Sequence, residues 1–294
     1  MSRHPLTSLS YCSSTVNWSK GGLFKVNCSG ILASVLVCCF ATSVYGEPST
    51  PLLQVDFNQH DVGTYHIADL DIDWPSLKWH SLQSRADIID SKQPKFNKVL
   101  KISYPIGSVG PTQGGAQFLQ ALTPSKELWL SYQVKFADGF DFRLGGKLPG
   151  LTSGGAKYTG GIIPTHGQGW SARYMWRKNG EAIIYLYHMK MPGKWGQDIT
   201  LDHMHFRPGQ WHTLIQHIRI NEIGQANGVL EVWIDGKKRL SRADIEFRGQ
   251  PQALIDSFYF STFHGGNTPE WGPKIDSVAY FDNFVISAEP LIKE

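Results

Sequence analysis

Cysteine and charge are both scarce in this 294-residue sequence, and each shortage excludes a class of protein. The four cysteines, Cys12, Cys28, Cys38 and Cys39, all lie near the N-terminus, so the remaining chain can form no disulfide and has no thiol nucleophile. Charged residues make up only 18% of the sequence, which excludes a coiled coil and a disordered chain. A formal net charge of +3 does not by itself indicate nucleic-acid binding, and we predict none.

Beyond the N-terminal leader the sequence has no long apolar run. Residues 31–41 are apolar, but this run is shorter than the roughly 20 residues of a membrane span. Three basic residues precede the run and small residues follow it near Gly46, which predicts a signal peptide over residues 1–46. An uncleaved signal anchor is the alternative. Cleavage would leave residues 47–294 formally neutral, secreted or periplasmic, and free of the membrane.

Aromatic residues and turn formers are frequent, with 30 glycines, 16 prolines and 12% aromatic residues. Short runs of alternating polarity recur from residue 52 to residue 286, separated by turn pairs such as Asn227-Gly228. This pattern predicts one all-β domain over residues 47–294, an antiparallel β-sandwich of jelly-roll type with few or no long helices. Residues 60–95 are less patterned, and there we expect a cap, a loop or a short helix near residues 86–90.

A β-hairpin is predicted from residues 170–177 and 181–188, which flank Lys178-Asn-Gly180. A two-residue Asn-Gly turn would pair Lys178 with Glu181 and divide the polar side chains between both faces of the sheet. A three-residue loop, a type I turn followed by a left-handed glycine, pairs Arg177 with Glu181 instead. A slip of one residue moves every side chain of one strand to the other face. Only the three-residue loop places the polar side chains of both strands on one face and the apolar side chains on the other.

In this register the hairpin has one apolar inner face and one polar face. Arg173 lies opposite Tyr185, and Ser171 lies opposite Tyr187, because side chains alternate along a strand. A solvated, tyrosine-rich surface is the simplest interpretation of such a face. A second feature argues for a functional site, because Lys147 lies between two glycines and Leu148-Pro-Gly150. Glycine permits close backbone approach and proline restricts the chain, so we predict a short, tightly turned segment that holds this lysine in place.

The lysine segment and the hairpin together resemble the family-fourteen polysaccharide lyases, which include alginate and glucuronan lyases of jelly-roll fold. The resemblance extends from about residue 52 to the C-terminus and is strongest over residues 142–188. It implies β-elimination on a uronate polymer, alginate or glucuronan, giving a 4,5-unsaturated uronate end. No cofactor is predicted, because the sequence has no cofactor-binding motif. The residues that match the family's functional positions are Lys147, Ser171, Arg173, Tyr185 and Tyr187.

The chemistry of β-elimination suggests a role for each of these residues. We expect the two tyrosines to transfer protons, and we favour Tyr185 because it lies opposite Arg173. A tyrosine serves as the base only if nearby cations lower its pKa from about 10. Arg173 and Lys147 would neutralise the uronate carboxylate, with Lys147 as the base in an alternative assignment. Ser171 would position the substrate or a water.

Four further residues are candidates for substrate binding, each with a structural alternative. Gln117 would donate to the carboxylate or act as a buried structural amide. Arg143 would bind a neighbouring sugar or simply lie on the surface. His166 lies in a glycine-rich loop, where it would bind the substrate or have no binding role. Trp271 would stack on a sugar through its flat apolar face, or lie buried.

No metal is predicted. His203 and His205 form an HxH pair without a third ligand at suitable spacing, and a structural calcium at Asp56 or Asp282 has no support from the pattern. A glycoside hydrolase on the same fold would need two carboxylates at the site, where the predicted face has none. A non-catalytic carbohydrate-binding module is the other alternative. The sequence does not distinguish the uronate polymers or endo from exo attack, and it does not indicate the oligomeric state.

Overall fold

The structure is a computed structural model that describes residues 50–292, so the predicted signal peptide over residues 1–46 lies outside the described residues. Sixteen strands and one α-helix occur in this range: β1 Leu53–Val55, β2 Gly63–Thr64, α1 Ile67–Asp73, β3 Leu77–Ser81, β4 Ala86–Gln93, β5 Phe96–Tyr104, β6 Ala116–Ser125, β7 Glu127–Phe136, β8 Gly145–Ser153, β9 Trp170–Arg177, β10 Glu181–Tyr187, β11 Gln197–His205, β12 Trp211–Arg219, β13 Gly228–Ile234, β14 Lys237–Ile245, β15 Ile255–His264 and β16 Ser277–Ser287. Among residues 50–292, no helix has the length and apolar character needed to cross a membrane.

The strands form two sheets whose pairings are all antiparallel. The nine-stranded outer sheet has the order β14-β13-β12-β7-β16-β5-β4-β2, with β1 paired to β16. The second sheet, which we name the inner sheet, has seven strands in the order β11-β10-β9-β8-β15-β6-β3. The predicted antiparallel β-sandwich is therefore confirmed.

An aromatic core fills the space between the two sheets, because each strand turns its alternate apolar residues inward. Trp74 stacks on Phe258 with ring centroids 5.2 Å apart, and Phe118 stacks on Phe260 at 4.6 Å. All four side chains are fully buried. Burying a large apolar side chain contributes roughly 1.5–3 kcal/mol, so this cluster stabilises the contact between the sheets.

The expectation for residues 60–95 is wrong in its details. The helix expected near residues 86–90 is strand β4, and the short helix is α1, earlier in the chain. With seven residues, α1 is too short to show a helical period. A buried carboxylate holds it instead, since Asp73 accepts hydrogen bonds from the hydroxyl of Tyr65 at 2.6 Å and from Gln59 at 3.0 Å.

The predicted hairpin register is confirmed, because Tyr185 pairs with Arg173 and Tyr187 with Ser171. The turn itself differs from the expected type I turn with one left-handed glycine. Lys178–Gly180 forms a three-residue turn in which both Asn179 (φ 60°) and Gly180 (φ 80°) are left-handed. Asparagine tolerates this conformation well, so the register survives the change of turn.

The lysine segment also departs from its prediction, because it is the central strand β8 and not a short, tightly turned loop. The register of β8 against β9 shifts between Lys147 and Gly150. A β-bulge there accommodates Pro149, which cannot donate to a regular ladder. Lys147 therefore has the backbone support of both neighbouring strands.

We expect Gly150→Ala to destabilise the fold by about 1–3 kcal/mol or more. A Cβ atom at Gly150 would lie 2.2 Å from the carbonyl oxygen of Ala172 and 2.7 Å from Cα of Arg173. Backbone atoms in paired strands cannot move aside as the end of a side chain can. Thermal unfolding measures the effect, with Gly193→Ala as the control because its Cβ would have no neighbour within 4 Å. Equal melting temperatures for the two variants would contradict the expectation.

Candidate active site

A cleft of about 710 Å³ lies on the face of the inner sheet that points away from the core. The sheet forms its floor, and loops between strands form its walls. The lining residues are Gly110, Pro111, Gln117, Lys147, Thr159, Gly160, Arg173, Arg177, Tyr185, Tyr187, Trp195, Tyr259, Phe263, Gly265, Gly266, Asn267 and Trp271. Four of the five predicted catalytic residues therefore meet in one place.

The polar face of the hairpin is buried, which corrects the expectation of an exposed surface. Arg173 is 2% exposed and Tyr185 is 6% exposed. Gly196 lies directly on both tyrosines, since a Cβ there would approach the Tyr187 ring to 2.6 Å and the Tyr185 ring to 2.9 Å. Loop segments thus cover the face, and the cleft is a recess in which charge is poorly solvated.

Lys147 lies at the centre of the floor, with Nζ 3.9 Å from the ring centroid of Tyr185. Its Nζ donates a hydrogen bond to Sδ of Met175 at 2.9 Å, and a thioether is only a weak acceptor. Burial lowers the pKa of Lys147 well below its ordinary value, and the nearby guanidinium groups of Arg173 and Arg177 lower it further. The neutral form of the amine is therefore populated at lower pH here than it would be on a protein surface.

Arg173 is a buried cation with unused hydrogen-bonding capacity. Its Nη1 donates to Oγ of Ser261 at 3.1 Å, and its guanidinium carbon lies 5.2 Å from the ring centroid of Tyr259. Its Nε has no hydrogen-bond partner among residues 50–292. A buried cation without a carboxylate is costly, so an anionic ligand would relieve this cost.

Tyr185 and Tyr187 lie edge to face, with ring centroids 5.4 Å apart. The hydroxyl of Tyr187 accepts a hydrogen bond from the backbone N–H of Gly161 at 3.0 Å. Burial and the neighbouring Tyr187 raise the pKa of Tyr185 above its ordinary value, and these effects outweigh the opposing influence of Arg177 and Arg173. Tyr185 is consequently protonated over the physiological range.

The cleft is electropositive. Its described lining residues include three basic side chains, Lys147, Arg173 and Arg177, and no aspartate or glutamate. Arg177 is held by Asp198, outside the lining, through contacts of 2.5 Å and 2.7 Å. This pairing leaves its guanidinium carbon 5.5 Å from the ring centroid of Tyr185. The arrangement suits an anion and lacks the carboxylate pair of a glycoside hydrolase.

Three predicted site residues are not brought to the cleft. The hydroxyl of Ser171 is fully buried and donates to the carbonyl oxygen of Tyr158 at 2.8 Å. Arg143 donates to the carbonyl oxygens of Glu270 at 2.7 Å and Gly272 at 2.8 Å, so it supports the turn that carries Trp271. His166 is exposed on a loop outside the lining.

The other predicted binding residues, Gln117 and Trp271, do line the cleft. Gln117 accepts a hydrogen bond from the hydroxyl of Tyr259, a residue that the sequence analysis missed. The alternation of side chains along β15 could have indicated Tyr259, because it lies on the opposite face of the strand from Phe258. Arg177 and Trp195 were also missed, because one ends a strand and the other lies in a loop without periodicity.

The residues considered as metal ligands in the sequence do not line the cleft. Among residues 50–292, no group of three or more His, Cys, Asp or Glu side chains is placed to hold a metal. His203 lies 3.5 Å from Glu181, and His205 contacts the carbonyl oxygen of Asn179 at 3.1 Å. Burial raises the pKa of Asp282 to about 7, with a further contribution from Asp56.

Comparison with solved structures gives several similar proteins. Alginate lyase Aly36B, solved as a mutant with alginate tetrasaccharide, is 25% identical, with a TM-score of 0.72 over 84% of this chain and 100% of its own. The alginate lyase from Aplysia kurodai is 24% identical, with a TM-score of 0.71 over 82% of this chain and 100% of its own. The endo-beta-1,4-glucuronan lyase from Trichoderma reesei shares the fold at 12% identity and a TM-score of 0.54, over 82% and 96% of the two chains.

No curated protein matches the sequence significantly. The family model Polysaccharide lyase 14, in contrast, matches residues 92–284, which is most of the described chain. This range includes the floor of the cleft, from Gln117 on β6 to Tyr259 on β15. Family, fold and cleft agree with the resemblance found in the sequence: the chain belongs to polysaccharide lyase family 14 and is a polysaccharide lyase.

Proposed function

We propose that this lyase cleaves alginate by β-elimination. The observation that carries the proposal is a cleft without acidic lining residues, in which Lys147 lies 3.9 Å from the Tyr185 ring beside the buried cation Arg173. Such a site suits a sugar that carries a carboxylate. Alginate is favoured among uronate polymers because Aly36B, 25% identical to this chain, is an alginate lyase solved with an alginate tetrasaccharide.

The first requirement of the reaction is to neutralise the C6 carboxylate. Removal of the neighbouring C5 proton moves negative charge onto this carboxylate, and prearranged donors stabilise that charge. The guanidinium of Arg173, which lines the cleft, supplies one such donor. The amide of Gln117, on the floor of the cleft, supplies a second.

The two proton transfers need one base and one acid. The sequence favours Tyr185 for proton transfer without a choice between base and acid. Tyr185 could be the base only with a lowered pKa, whereas burial raises its pKa. We therefore assign the base to Lys147, whose pKa is lowered, and the acid to Tyr185. Neutral Lys147 takes the C5 proton, the C4–O4 bond breaks as the C4–C5 double bond forms, and the Tyr185 hydroxyl protonates the departing O4.

A panel of purified uronate polymers tests the proposed activity. We expect alginate to yield oligosaccharides whose new non-reducing ends carry the C4–C5 double bond, seen as ultraviolet absorbance and as unsaturated masses. Saturated products would indicate hydrolysis and overturn the proposed reaction. Cleavage of glucuronan with no action on alginate would leave the reaction intact but overturn the proposed substrate.

The pH profile tests Lys147 as the base. Only the neutral amine accepts a proton, so activity should increase as the pH rises through its pKa, which lies well below the ordinary 10.5. Arg177→Gln removes a nearby positive charge, which should raise the pKa of Lys147 and move the acid limb of the kcat/KM profile to higher pH. An acid limb that stays in place or moves to lower pH would contradict the assignment.

We also propose that the enzyme is exported, on the support of the apolar run at residues 31–41 and the small residues near Gly46. The protein would then reach its extracellular polymer without residues 1–46. Expression of the full chain, followed by N-terminal sequencing of the protein outside the cytoplasm, should find a chain that starts at Glu47. An intact chain retained in the membrane would indicate a signal anchor.

A further inference from the structure

We propose that Trp195 and Lys194 form a binding subsite for a uronate sugar next to the one being cleaved. The inference rests on the proposed function, since it assigns a neighbouring sugar to the same polymer chain. It concerns a loop between β10 and β11 that the sequence pattern did not single out. Neither residue belongs to the set that we assign to the reacting sugar.

The first observation is the exposure of Trp195. Its side chain is 56% exposed although it lines the cleft. The catalytic side chains below it are buried, with Tyr187 at 0% and Arg173 at 2%. The exposed Trp195 ring lies next to a buried site. It offers a flat apolar surface on which the apolar face of a sugar can stack.

The second observation is that glycine contacts hold the loop in place. Gly196 packs so closely on the tyrosines that a Cβ there would lie 2.6 Å from Tyr187. Gly161 lies against the same loop, because a Cβ there would be 3.1 Å from both the Trp195 ring and the Lys194 side chain. The backbone next to Trp195 is thus packed on the tyrosines and the ring itself lies against Gly161, so a bound sugar would find the ring already ordered.

The third observation concerns position along the cleft. Trp195 contacts Gly161, whose N–H donates to Tyr187, so it lies at the tyrosine end. Trp271 lies at the lysine end, because it packs on Gly266, and the adjacent Gly265 approaches Nζ of Lys147. A polymer across the reacting groups would therefore meet Trp195 on one side and Trp271 on the other.

The charge of the loop specifies the kind of sugar. Nζ of Lys194 lies 5.2 Å from the ring centroid of Trp195, and the lysine is exposed. An ammonium group over the ring can pair with a carboxylate on a sugar bound against the ring. The subsite thus favours a uronate over a neutral sugar, and its contribution should weaken as salt screens the exposed lysine.

Trp195→Ala tests the subsite with alginate oligosaccharides of defined length. We expect KM for long oligosaccharides to rise roughly tenfold, since an exposed stacking surface is lost, while kcat for long substrates and kcat/KM for the shortest cleavable oligosaccharide stay close to wild type. Trp195→Phe keeps a flat ring and should recover most of the loss. Lys194→Ala should raise KM at low salt more than at high salt.

Ile162→Ala is the matched control, because Ile162 is also exposed (51%) on a neighbouring loop but does not line the cleft. Its kinetics should equal those of the wild type. A Trp195→Ala variant that loses kcat equally on all lengths, or that melts at a much lower temperature, would show a purely structural role and overturn the subsite. A wild-type enzyme without activity on any uronate polymer would instead refute the proposed function, so the two failures are distinguishable.

Discussion

Replacement of Lys147 with alanine is expected to lower kcat/KM by about 10²–10⁴-fold, the usual contribution of a general base. The reason is local, because Nζ of Lys147 sits between the Tyr185 ring at 3.9 Å and Sδ of Met175 at 2.9 Å. Steady-state assays of double-bond formation measure the loss. The melting temperature should change little, since among the described residues the amine of Lys147 donates only to the weak acceptor Met175 and lies near two like-charged guanidinium groups.

A second variant separates the two roles that a lysine could have here. Lys147→Arg keeps the positive charge but cannot lose a proton at accessible pH. If Lys147 is the base, the arginine variant should be about as inactive as the alanine variant. Recovery of a tenth or more of wild-type activity would instead assign Lys147 to neutralisation of the carboxylate.

Replacement of Tyr185 with phenylalanine should lower kcat by about 10²–10⁴-fold through loss of the acid. Phenylalanine keeps the ring that packs on Tyr187 at 5.4 Å and on Lys147, so only the hydroxyl is removed. The same steady-state assay measures kcat, and KM should change much less.

Tyr158→Phe is a suitable control, because Tyr158 is equally buried, at 5% exposed, but does not line the cleft. Its activity should match that of the wild type. Activity within tenfold of wild type in the Tyr185→Phe variant would move the acid to another group, with Tyr187 as the first to examine. The opposed pKa directions of Lys147 and Tyr185 make that outcome unexpected.

Several features of the fold and site follow from the sequence alone. Strict alternation in Trp170–Arg177 and Glu181–Tyr187 predicts both the strands and their faces, and the requirement for coherent faces selects the observed register. The same logic brings Arg173 and Tyr185 together. Lys147 is placed near them by the family resemblance, whereas the glycines beside it predicted a tight turn and the segment is strand β8.

Other features depend on long-range contacts that no local pattern records. The α1 helix is held by Asp73, and Ser171 is occupied by a carbonyl oxygen from a separate loop. Pro149 in a central strand is tolerated only because of the bulge beside Lys147. Burial of the polar face also depends on loops that fold over it, and this burial reverses the expected direction of the Tyr185 pKa.

The support of Trp271 by Arg143 has a consequence for how such enzymes diversify. The guanidinium of Arg143 donates hydrogen bonds to the carbonyl oxygens of Glu270 and Gly272. Because these acceptors are backbone atoms, the bonds do not depend on the side chains of the turn. The turn can therefore exchange its side chains during evolution without disturbing the strands that carry Lys147 and Tyr185. Substitutions in this turn can therefore change the preferred polymer while the strands that carry Lys147 and Tyr185 stay the same.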